Sequence, residues 1–256
     1  MIKIYTDALS NLTKGTENLE ILPFLFNING KKYLTNELES KEIYNYLSQG
    51  IYPKTSRPNL GVWSETIEKD LKEGKDILYI GPTSKMTGAT SSINVIKNII
   101  KNKYPNRSIS ILNTNFLSGA TPLIIEDVMK NNNYEYKDEK YCTWLIVKST
   151  FTIFNNNRLD TNVDKISLIK MIDGKLEYHS SYNTYYEAID FIKKSINNKV
   201  DKILISHSYD MGNDELSSYI QEEFKDFTNN IGNYEINSCL YSYYGIGSFD
   251  ISMRYN

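Results

Sequence analysis

The feature that most constrains the fold is the alternation of short apolar runs with segments of helical periodicity in the first half of the chain. Apolar runs lie at residues 2–5 and 77–80, and a further strand-like run lies at residues 108–112. Each has the length and composition of a buried strand. The segments with helical spacing lie at residues 63–71, 95–99 and 123–129. Because strands that alternate with helices pair in parallel, the pattern predicts an α/β fold with a mainly parallel sheet flanked by helices.

Turn-forming residues divide this half of the chain further. Asn29 and Gly30 lie between two short apolar stretches and predict a β-hairpin. Ser40 precedes a helical pattern and is predicted to cap that helix. Two prolines exclude a helix from residues 53–59, because proline and the residue before it favour extended backbone. That segment is therefore predicted to be an extended loop that carries hydroxyl side chains.

The pattern changes from residue 141 onward. Strand-like runs lie at 143–147, 166–171 and 202–206, and helical spacing at 185–196 and 214–226. Residues 238–254 are predicted to form a strand, a glycine-bearing turn and a second strand. We place a boundary near residue 150. The chain is thus predicted to have an N-terminal α/β domain at 1–150 and a C-terminal mixed α/β domain at 151–256.

The charge and hydropathy of the chain exclude several classes of protein. Lys and Arg number 29 and Asp and Glu 31, with a net charge of -2 and no basic block. Attraction to a phosphate backbone would be weak, so no nucleic-acid partner is predicted. No run approaches the ~20 apolar residues that span a bilayer, so membrane contact is expected to be transient and at the surface. The chain opens on a strand-like run instead of a signal peptide, and a cytoplasmic location is expected.

Cysteine and histidine give no metal-binding pattern. Cys142 and Cys239 lie in apolar or aromatic runs and are predicted to be core thiols. His179 and His207 have no Cys or His partner at metal-ligand spacing. Neither a P-loop nor a GxSxG nucleophile elbow occurs. The sequence therefore predicts no metal site, no cofactor and no catalytic residue.

Small polar side chains occupy three loops at the ends of predicted strands. They are Thr6 with Asp7, Thr55 with Ser56, and Thr83 with Ser84 and Thr87. In a parallel sheet such loops meet at one edge, where α/β proteins bind ligands. Gly88 and the helix after it add backbone N–H donors, an arrangement that suits a carboxylate or phosphate. The alternative, which spacing alone favours, is that these residues only cap helices and form turns.

Four short motifs occur in order along the chain. They are Thr6-Asp7-Ala8-Leu9-Ser10-Asn11-Leu12, then Pro53-Lys54-Thr55-Ser56-Arg57-Pro58, then Ser84-Lys85-Met86-Thr87-Gly88, and then Asn113-Thr114 with Ser118. Together they resemble the DegV family, the fatty-acid-binding subunits of bacterial fatty acid kinases. That family carries Thr-Asp-Ser followed by Asp-Leu, then Pro-Lys-Thr-Ser-Gln-Pro, Ser-Lys-Leu-Ser-Gly, and Asp-Ser with a later Ser. The resemblance implies a DegV-like two-domain fold.

The resemblance also implies a set of head-group residues. In that family, hydroxyls of the second and third motifs hold the carboxylate of the fatty acid, aided by a histidine near the C-terminus. By position, Thr55, Ser56 and Thr87, with Gly88 beside them, take these roles here. The histidine of the family pattern His-Thr-Gly-Pro-Gly is replaced by Tyr243. A tyrosine can donate one hydrogen bond but carries no positive charge near neutral pH.

Four further residues are candidates on weaker grounds. Asp7, Ser84 and Ser118 belong to the motifs that resemble the family. Arg158 matches the arginine of a family Gly-Gly-Arg-Ile segment, although both glycines are replaced by asparagine here. The alternative for Arg158 is an ordinary exposed arginine in a solvated loop.

The function that the resemblance implies is that of a non-catalytic carrier. Such a protein binds a long-chain fatty acid and presents its carboxylate to a fatty acid kinase catalytic subunit, which forms the acyl phosphate. Two alternatives stay open. One is an enzyme that acts on a carboxylated or phosphorylated metabolite at the same edge. The other is a DegV-like scaffold that has lost ligand binding, which the changes at Ala8, Asn11 and Tyr243 favour.

Overall fold

The computed structural model describes residues 2–131, 134–148, 164–211 and 215–256. In chain order its strands are β1 (Ile2–Asp7), β2 (Leu19–Leu22), β3 (Leu25–Ile28), β4 (Lys31–Leu34), β5 (Lys54–Ser56), β6 (Asp76–Gly81), β7 (Ile109–Asn113), β8 (Tyr141–Val147), β9 (Ile166–Ile172), β10 (Lys175–Tyr182), β11 (Val200–His207), β12 (Ile231–Glu235) and β13 (Phe249–Tyr255). Its α-helices are α1 (Ser40–Ser48), α2 (Leu60–Lys72), α3 (Ala89–Lys103), α4 (Ala120–Asn131), α5 (Tyr185–Ser195), α6 (Glu215–Phe224) and α7 (Ser238–Tyr244). Within these ranges, no helix has the length and apolar character needed to cross a lipid bilayer.

The predicted parallel sheet is confirmed. Its strand order is β2-β1-β6-β7, and every neighbouring pair is parallel. Strand β1 is buried from its second residue to its end, because elements cover both faces of the sheet. Helix α2 buries Trp63, Ile67 and Leu71 at the predicted helical spacing. The C-terminal ends of β1 and β6 consequently lie side by side.

Helix α3 confirms the predicted helix through residues 95 and 99 but faces the sheet with other residues. Its buried stripe includes Ile93, Ile96 and Ile100. Val95 and Ile99 are 43% and 57% exposed. Both sets have helical spacing, so the pattern predicts the helix without deciding which stripe meets the sheet.

A small antiparallel sheet of order β4-β3-β5 packs beside the first. Its hairpin confirms the predicted turn, with positive φ of 50° at Asn29 and 82° at Gly30. The predicted loop at 53–59 contains strand β5, which pairs with β3. The backbone is extended as expected, but the prediction of a loop is wrong because β3 offers an edge for pairing. Thr55 and Ser56 therefore do not belong to the parallel sheet.

The second sheet is mixed, with the order β10-β9-β8-β13-β11-β12. The pair of β11 and β12 is parallel, and the other pairs are antiparallel. Side chains of β8 alternate between two cores: Trp144 and Ile146 lie in the core under α5 and α6, whereas Leu145 and Val147 join the core of the first sheet. Strand β8 thus precedes residue 150 but pairs in the second sheet. The division of the chain at residue 150 itself stays a prediction.

The prediction of a strand at the start of residues 238–254 is wrong, because Ser238–Tyr244 forms helix α7. The Asn237 side chain caps this helix by accepting a hydrogen bond from the Leu240 amide at 2.9 Å. All residues of α7 except Tyr243 are buried, so no polar stripe marks a helical period. The glycine turn and β13 follow as predicted.

The cap of α1 also differs from the prediction. Ser40 is the first helical residue, and its hydroxyl donates to the Ile236 carbonyl at 2.8 Å. Glu39 is the cap residue, and its amide donates to the Glu42 carboxylate at 2.9 Å.

Helix α6 runs from Glu215 to Phe224, within the predicted 214–226, of which residue 214 lies outside the described residues.

Arg254 joins the second sheet to helix α4. Its guanidinium contacts Asp127 of α4 at 2.7 Å and Asp201 of β11 at 2.6 Å. The arginine side chain is only 7% exposed and that of Asp127 only 14%. Removing one partner of a largely buried ion pair leaves a charge without compensation. The network therefore ties helix α4 to strands β11 and β13 of the second sheet.

We predict that Arg254→Met lowers the free energy of unfolding by about 2 to 3 kcal/mol, because Asp127 would keep only Lys140 as a cationic partner. Urea denaturation at neutral pH measures this change. Lys194→Met is the matched control: it removes an exposed pair with Asp190, worth less than about 0.5 kcal/mol. Equal losses in the two variants would contradict the prediction.

Candidate functional site

A buried carboxyl lies at the C-terminal end of β1. Asp7 Oδ1 accepts a hydrogen bond from the Leu9 amide at 2.9 Å, and Oδ2 accepts one from the Tyr79 hydroxyl of β6 at 2.6 Å. Burial raises the pKa of Asp7 to about 6, although both hydrogen bonds oppose the shift. Burial and the neighbouring Asp7 together raise the pKa of Tyr79 well above its ordinary value. Asp7 and Tyr79 thus form a buried, hydrogen-bonded polar pair at this edge of the sheet.

The loop between β6 and α3 gives its polar groups different roles. The Thr83 hydroxyl donates to the Gly174 carbonyl at 2.8 Å, and its amide donates to the Phe116 carbonyl. Ser84 is exposed, and its amide donates to Asn113. The Thr87 hydroxyl oxygen accepts a hydrogen bond from the Ala89 amide at 3.2 Å and so forms a local turn just before α3, whose cap residue is Gly88. A hydroxyl that accepts at its oxygen keeps its hydrogen for donation, so Thr87 can still donate to a ligand.

The second and third motifs meet through Arg57. Its Nη1 donates to the Gly88 carbonyl at 2.6 Å and to the Ser92 hydroxyl. Thr55, two residues earlier on β5, is half-buried, and Ser56 is exposed. The structure therefore brings these motifs together as expected. The reason differs from the predicted one, because β5 reaches the loop from the small sheet and not from the parallel sheet.

Tyr243 approaches the same end of the first sheet from helix α7. It is half-buried, and burial, with smaller contributions from Cys239 and Asp7, raises its pKa. Asp7 and the Tyr243 phenol are near enough to interact electrostatically. The phenol is therefore neutral at physiological pH and acts as a hydrogen-bonding group without charge.

Ser118 lies in a second buried polar cluster. It adopts a φ of 56°, and its amide donates to the Leu9 carbonyl at 2.8 Å. Its buried hydroxyl lies near Tyr244 and Asp250 of β13. Burial raises the pKa of Asp250 to about 7, although the hydrogen bond from Ser252 opposes the shift. Ser118 is thus placed between the first sheet and β13.

The remaining predicted residue, Arg158, lies outside the described residues. Among the cavities lined by described residues, one of about 140 Å³ has Leu12, Pro122 and Leu204 in its walls, and another of about 310 Å³ lies beside Arg254. Neither is lined by a predicted site residue, so the pocket for an acyl tail stays a prediction. In the described ranges, no group of three or more His, Cys, Asp or Glu side chains could hold a metal ion.

Sequence reasoning missed two residues of this edge. Tyr79 stands in a continuous apolar run and carries the pattern of a core residue, yet its hydroxyl holds Asp7. Arg57 was recognised only as part of a motif, although it makes the contact between two motifs. The departure of Arg57 from the glutamine of the family motif is the signal that marks it.

A family model described as "Uncharacterised protein, DegV family" matches residues 1–137, which is more than half of the chain. The chain belongs to the DegV family. Among curated relatives, DegV domain-containing protein CPE0026 of Clostridium perfringens is 34% identical over 117 residues, covering 43% of this chain and 40% of the relative. The chain thus matches less than half of that relative's length. DegV domain-containing protein SA1258 of Staphylococcus aureus is 23% identical over 263 residues, covering 91% and 90%.

Solved DegV structures share the fold over the whole chain. A DegV family protein from Eubacterium eligens loaded with heptadecanoic acid has a TM-score of 0.85 at 13% identity, covering 100% of both chains. The Streptococcus pneumoniae Fatty Acid Kinase (Fak) B3 protein loaded with linoleic acid has a TM-score of 0.83 at 14% identity, covering 100% and 99%. A fatty-acid-binding DegV protein from Thermus thermophilus has a TM-score of 0.82 at 16% identity, covering 100% and 99%. The predicted DegV-like fold is therefore confirmed.

The buried Asp7 generates a prediction on pH. Its pKa is about 6 in the folded chain against 3.8 for an unperturbed Asp, so ionising it costs the folded state about 3 kcal/mol. The stability that this group contributes is complete below pH ~4 and is lost as the pH rises through 6. Asp7→Asn removes the ionisation and keeps the shape. We expect its stability relative to the wild type to rise between pH 4 and pH 7, measured by urea denaturation at each pH.

Asp70→Asn is the control for this series. Burial opposes ionisation of Asp70, but hydrogen bonds from Lys75 and Tyr5 outweigh it and lower the pKa. Its stability contribution is therefore lost as the pH falls, the opposite slope. A difference between Asp7→Asn and the wild type that does not change with pH would contradict the assignment.

Proposed function

We propose that this DegV protein is a carrier that buries the tail of a long-chain fatty acid and holds the carboxylate with Thr55, Ser56, Thr87 and Gly88. The observation that carries the proposal is the contact of Arg57 with Gly88, which joins the two hydroxyl-bearing motifs at one site. The fatty acids bound to the DegV relatives of the same fold support it. Tyr243 and Asp7 complete the same end of the first sheet, and Ser84, Ser118 and Arg158 stay as further candidates.

The energetics favour a division of labour between tail and head. Burial of an alkyl chain gains roughly 0.8 kcal/mol per methylene, so a dozen methylenes supply ~10 kcal/mol before association costs. The carboxylate needs donors that replace water, and hydroxyls with backbone N–H groups provide them. The tail therefore supplies most of the affinity, and the head-group residues set the orientation of the carboxylate.

A kinase catalytic subunit is the partner that we propose for the bound carboxylate. The likeness to the Fatty Acid Kinase (Fak) B3 protein supports this step. Hydroxyl donors leave the carboxylate oxygens able to accept a phosphoryl group when the partner docks at the mouth of the pocket. The present chain then contributes the substrate and no catalytic base, cofactor or metal. We propose that it works in the cytoplasm, with transient contact at membrane surfaces where fatty acids are collected.

We predict that Thr87→Val weakens binding of palmitic acid about tenfold, because valine keeps the shape of threonine but removes a donor worth ~1.4 kcal/mol. Isothermal titration calorimetry with the full chain measures the change. Thr66→Val is the matched control, since the Thr66 hydroxyl donates to Val62 within α2 and lies away from this edge. It should leave the affinity unchanged.

Native mass spectrometry of the protein purified from cells provides the wider test. A carrier should retain a fatty acid or take up added palmitic or stearic acid. Empty protein that takes up neither acid would contradict the proposal and favour a scaffold, for which Thr87→Val changes nothing. Turnover of a water-soluble carboxylated or phosphorylated metabolite would instead favour an enzyme.

A further inference from the structure

Arg57 packs against the backbone of the loop at residues 82–88 between β6 and α3, the predicted head-group loop. Besides the hydrogen bonds from Nη1 to Gly88 and Ser92, its guanidinium carbon would stand 3.1 Å from a Cβ at position 88. Any side chain there would crowd the guanidinium, so glycine at 88 permits the approach. Arg57 itself is exposed. The structure thus holds a cation at the rim of the loop that also carries Thr87.

The two lysines within these motifs, Lys85 and Lys54, are placed differently from Arg57. The Lys85 ammonium donates to the Asp173 carbonyl at 2.6 Å, across to the hairpin of β9 and β10. Lys54 precedes Thr55 on β5, where successive side chains point to opposite faces. Thr55 and Thr87 are neutral, and Tyr243 is a neutral phenol. Arg57 is therefore, within the described ranges, a cation whose charged group donates directly to the head-group loop.

The chemistry of guanidinium suits a planar anion. Arginine stays charged at any physiological pH and carries five N–H donors in a fixed plane. With Nη1 directed to Gly88 and Ser92, the donors on Nη2 and Nε remain on the other edge of the plane. Carboxylates and phosphates accept paired hydrogen bonds from such an edge. A neutral alcohol or ester gains much less from the same contact.

We propose that Arg57 is the specificity-determining residue that makes this site prefer an anionic head group to a neutral one of the same chain length. The proposal rests on the proposed function, because it names the selectivity of that site. Arg57 orders the loop by its contact with Gly88 and directs its charge to the carboxylate, and to the acyl phosphate after transfer. This role takes the place of a charged histidine, which Tyr243 cannot supply.

The test compares an acid and an alcohol with the same tail. Palmitic acid and cetyl alcohol are titrated by calorimetry into the full-length wild type, Arg57→Gln and Arg57→Lys. Glutamine keeps a side-chain N–H donor but has no charge. We expect Arg57→Gln to weaken acid binding about threefold to tenfold and to change alcohol binding less than about twofold. Arg57→Lys should retain most of the preference, and added salt should weaken acid binding in the wild type more than in Arg57→Gln.

Arg107→Gln is the matched control. Arg107 also donates from Nη1 to a glycine carbonyl, that of Gly74, but it lies beside Asp76 at the opposite end of β6. It should change neither affinity. Equal weakening of acid and alcohol in Arg57→Gln would mean that Arg57 only holds the loop, and an unchanged acid affinity would mean that it does nothing for the ligand. Either result overturns the proposal while the carrier function stands. A wild type that binds neither ligand overturns both.

Discussion

Burial of the second sheet on both faces is the constraint on which the rest of the molecule depends. Strand β8 sends Trp144 and Ile146 to one core and Leu145 and Val147 to the other. A sheet that is apolar on both faces is stable only when each face is covered. Helices α5 and α6 cover one face, and the first sheet with its helices covers the other. The position of the two sheets therefore follows from their shared core, and Arg254 adds ion pairs that tie α4 to the second sheet.

This shared core also places the candidate site. A short turn with two glycines connects helix α7 to β13. Because β13 packs in the second sheet, α7 lies at the end of the first sheet. Asn237, at the start of α7, donates through Nδ2 to the Ala8 carbonyl at 2.9 Å and fixes this approach. Tyr243 consequently reaches the neighbourhood of Asp7. The site is thus made by residues distant in sequence, held together by contacts that serve folding.

The electrostatics of the site are unusual for a position that is proposed to receive an anion. Asp7 is itself an acid, and its burial favours the neutral form, whereas the hydrogen bond from Tyr79 favours the ionised form. Hydroxyls and backbone groups supply the predicted donors, and the guanidinium of Arg57 lies at the rim. Charge at the rim attracts an anion without the desolvation cost of a buried cation. The proposed site therefore combines neutral hydrogen-bond donors with a cation at its rim.

By itself, the sequence determined the parallel sheet, its helices and the hairpin at Asn29-Gly30, because periodicity and turn chemistry are local properties of the chain. It also determined which motifs carry hydroxyls. Only the tertiary structure decided that residues 238–244 are helical, since a segment buried on nearly all sides shows no polar stripe. It likewise decided that β5 pairs with β3, that Tyr79 binds Asp7 and that Arg57 meets Gly88. Arg57 and Gly88 are 31 positions apart in the sequence, and Asp7 and Tyr79 are 72 positions apart. No local sequence pattern encodes contacts over such distances.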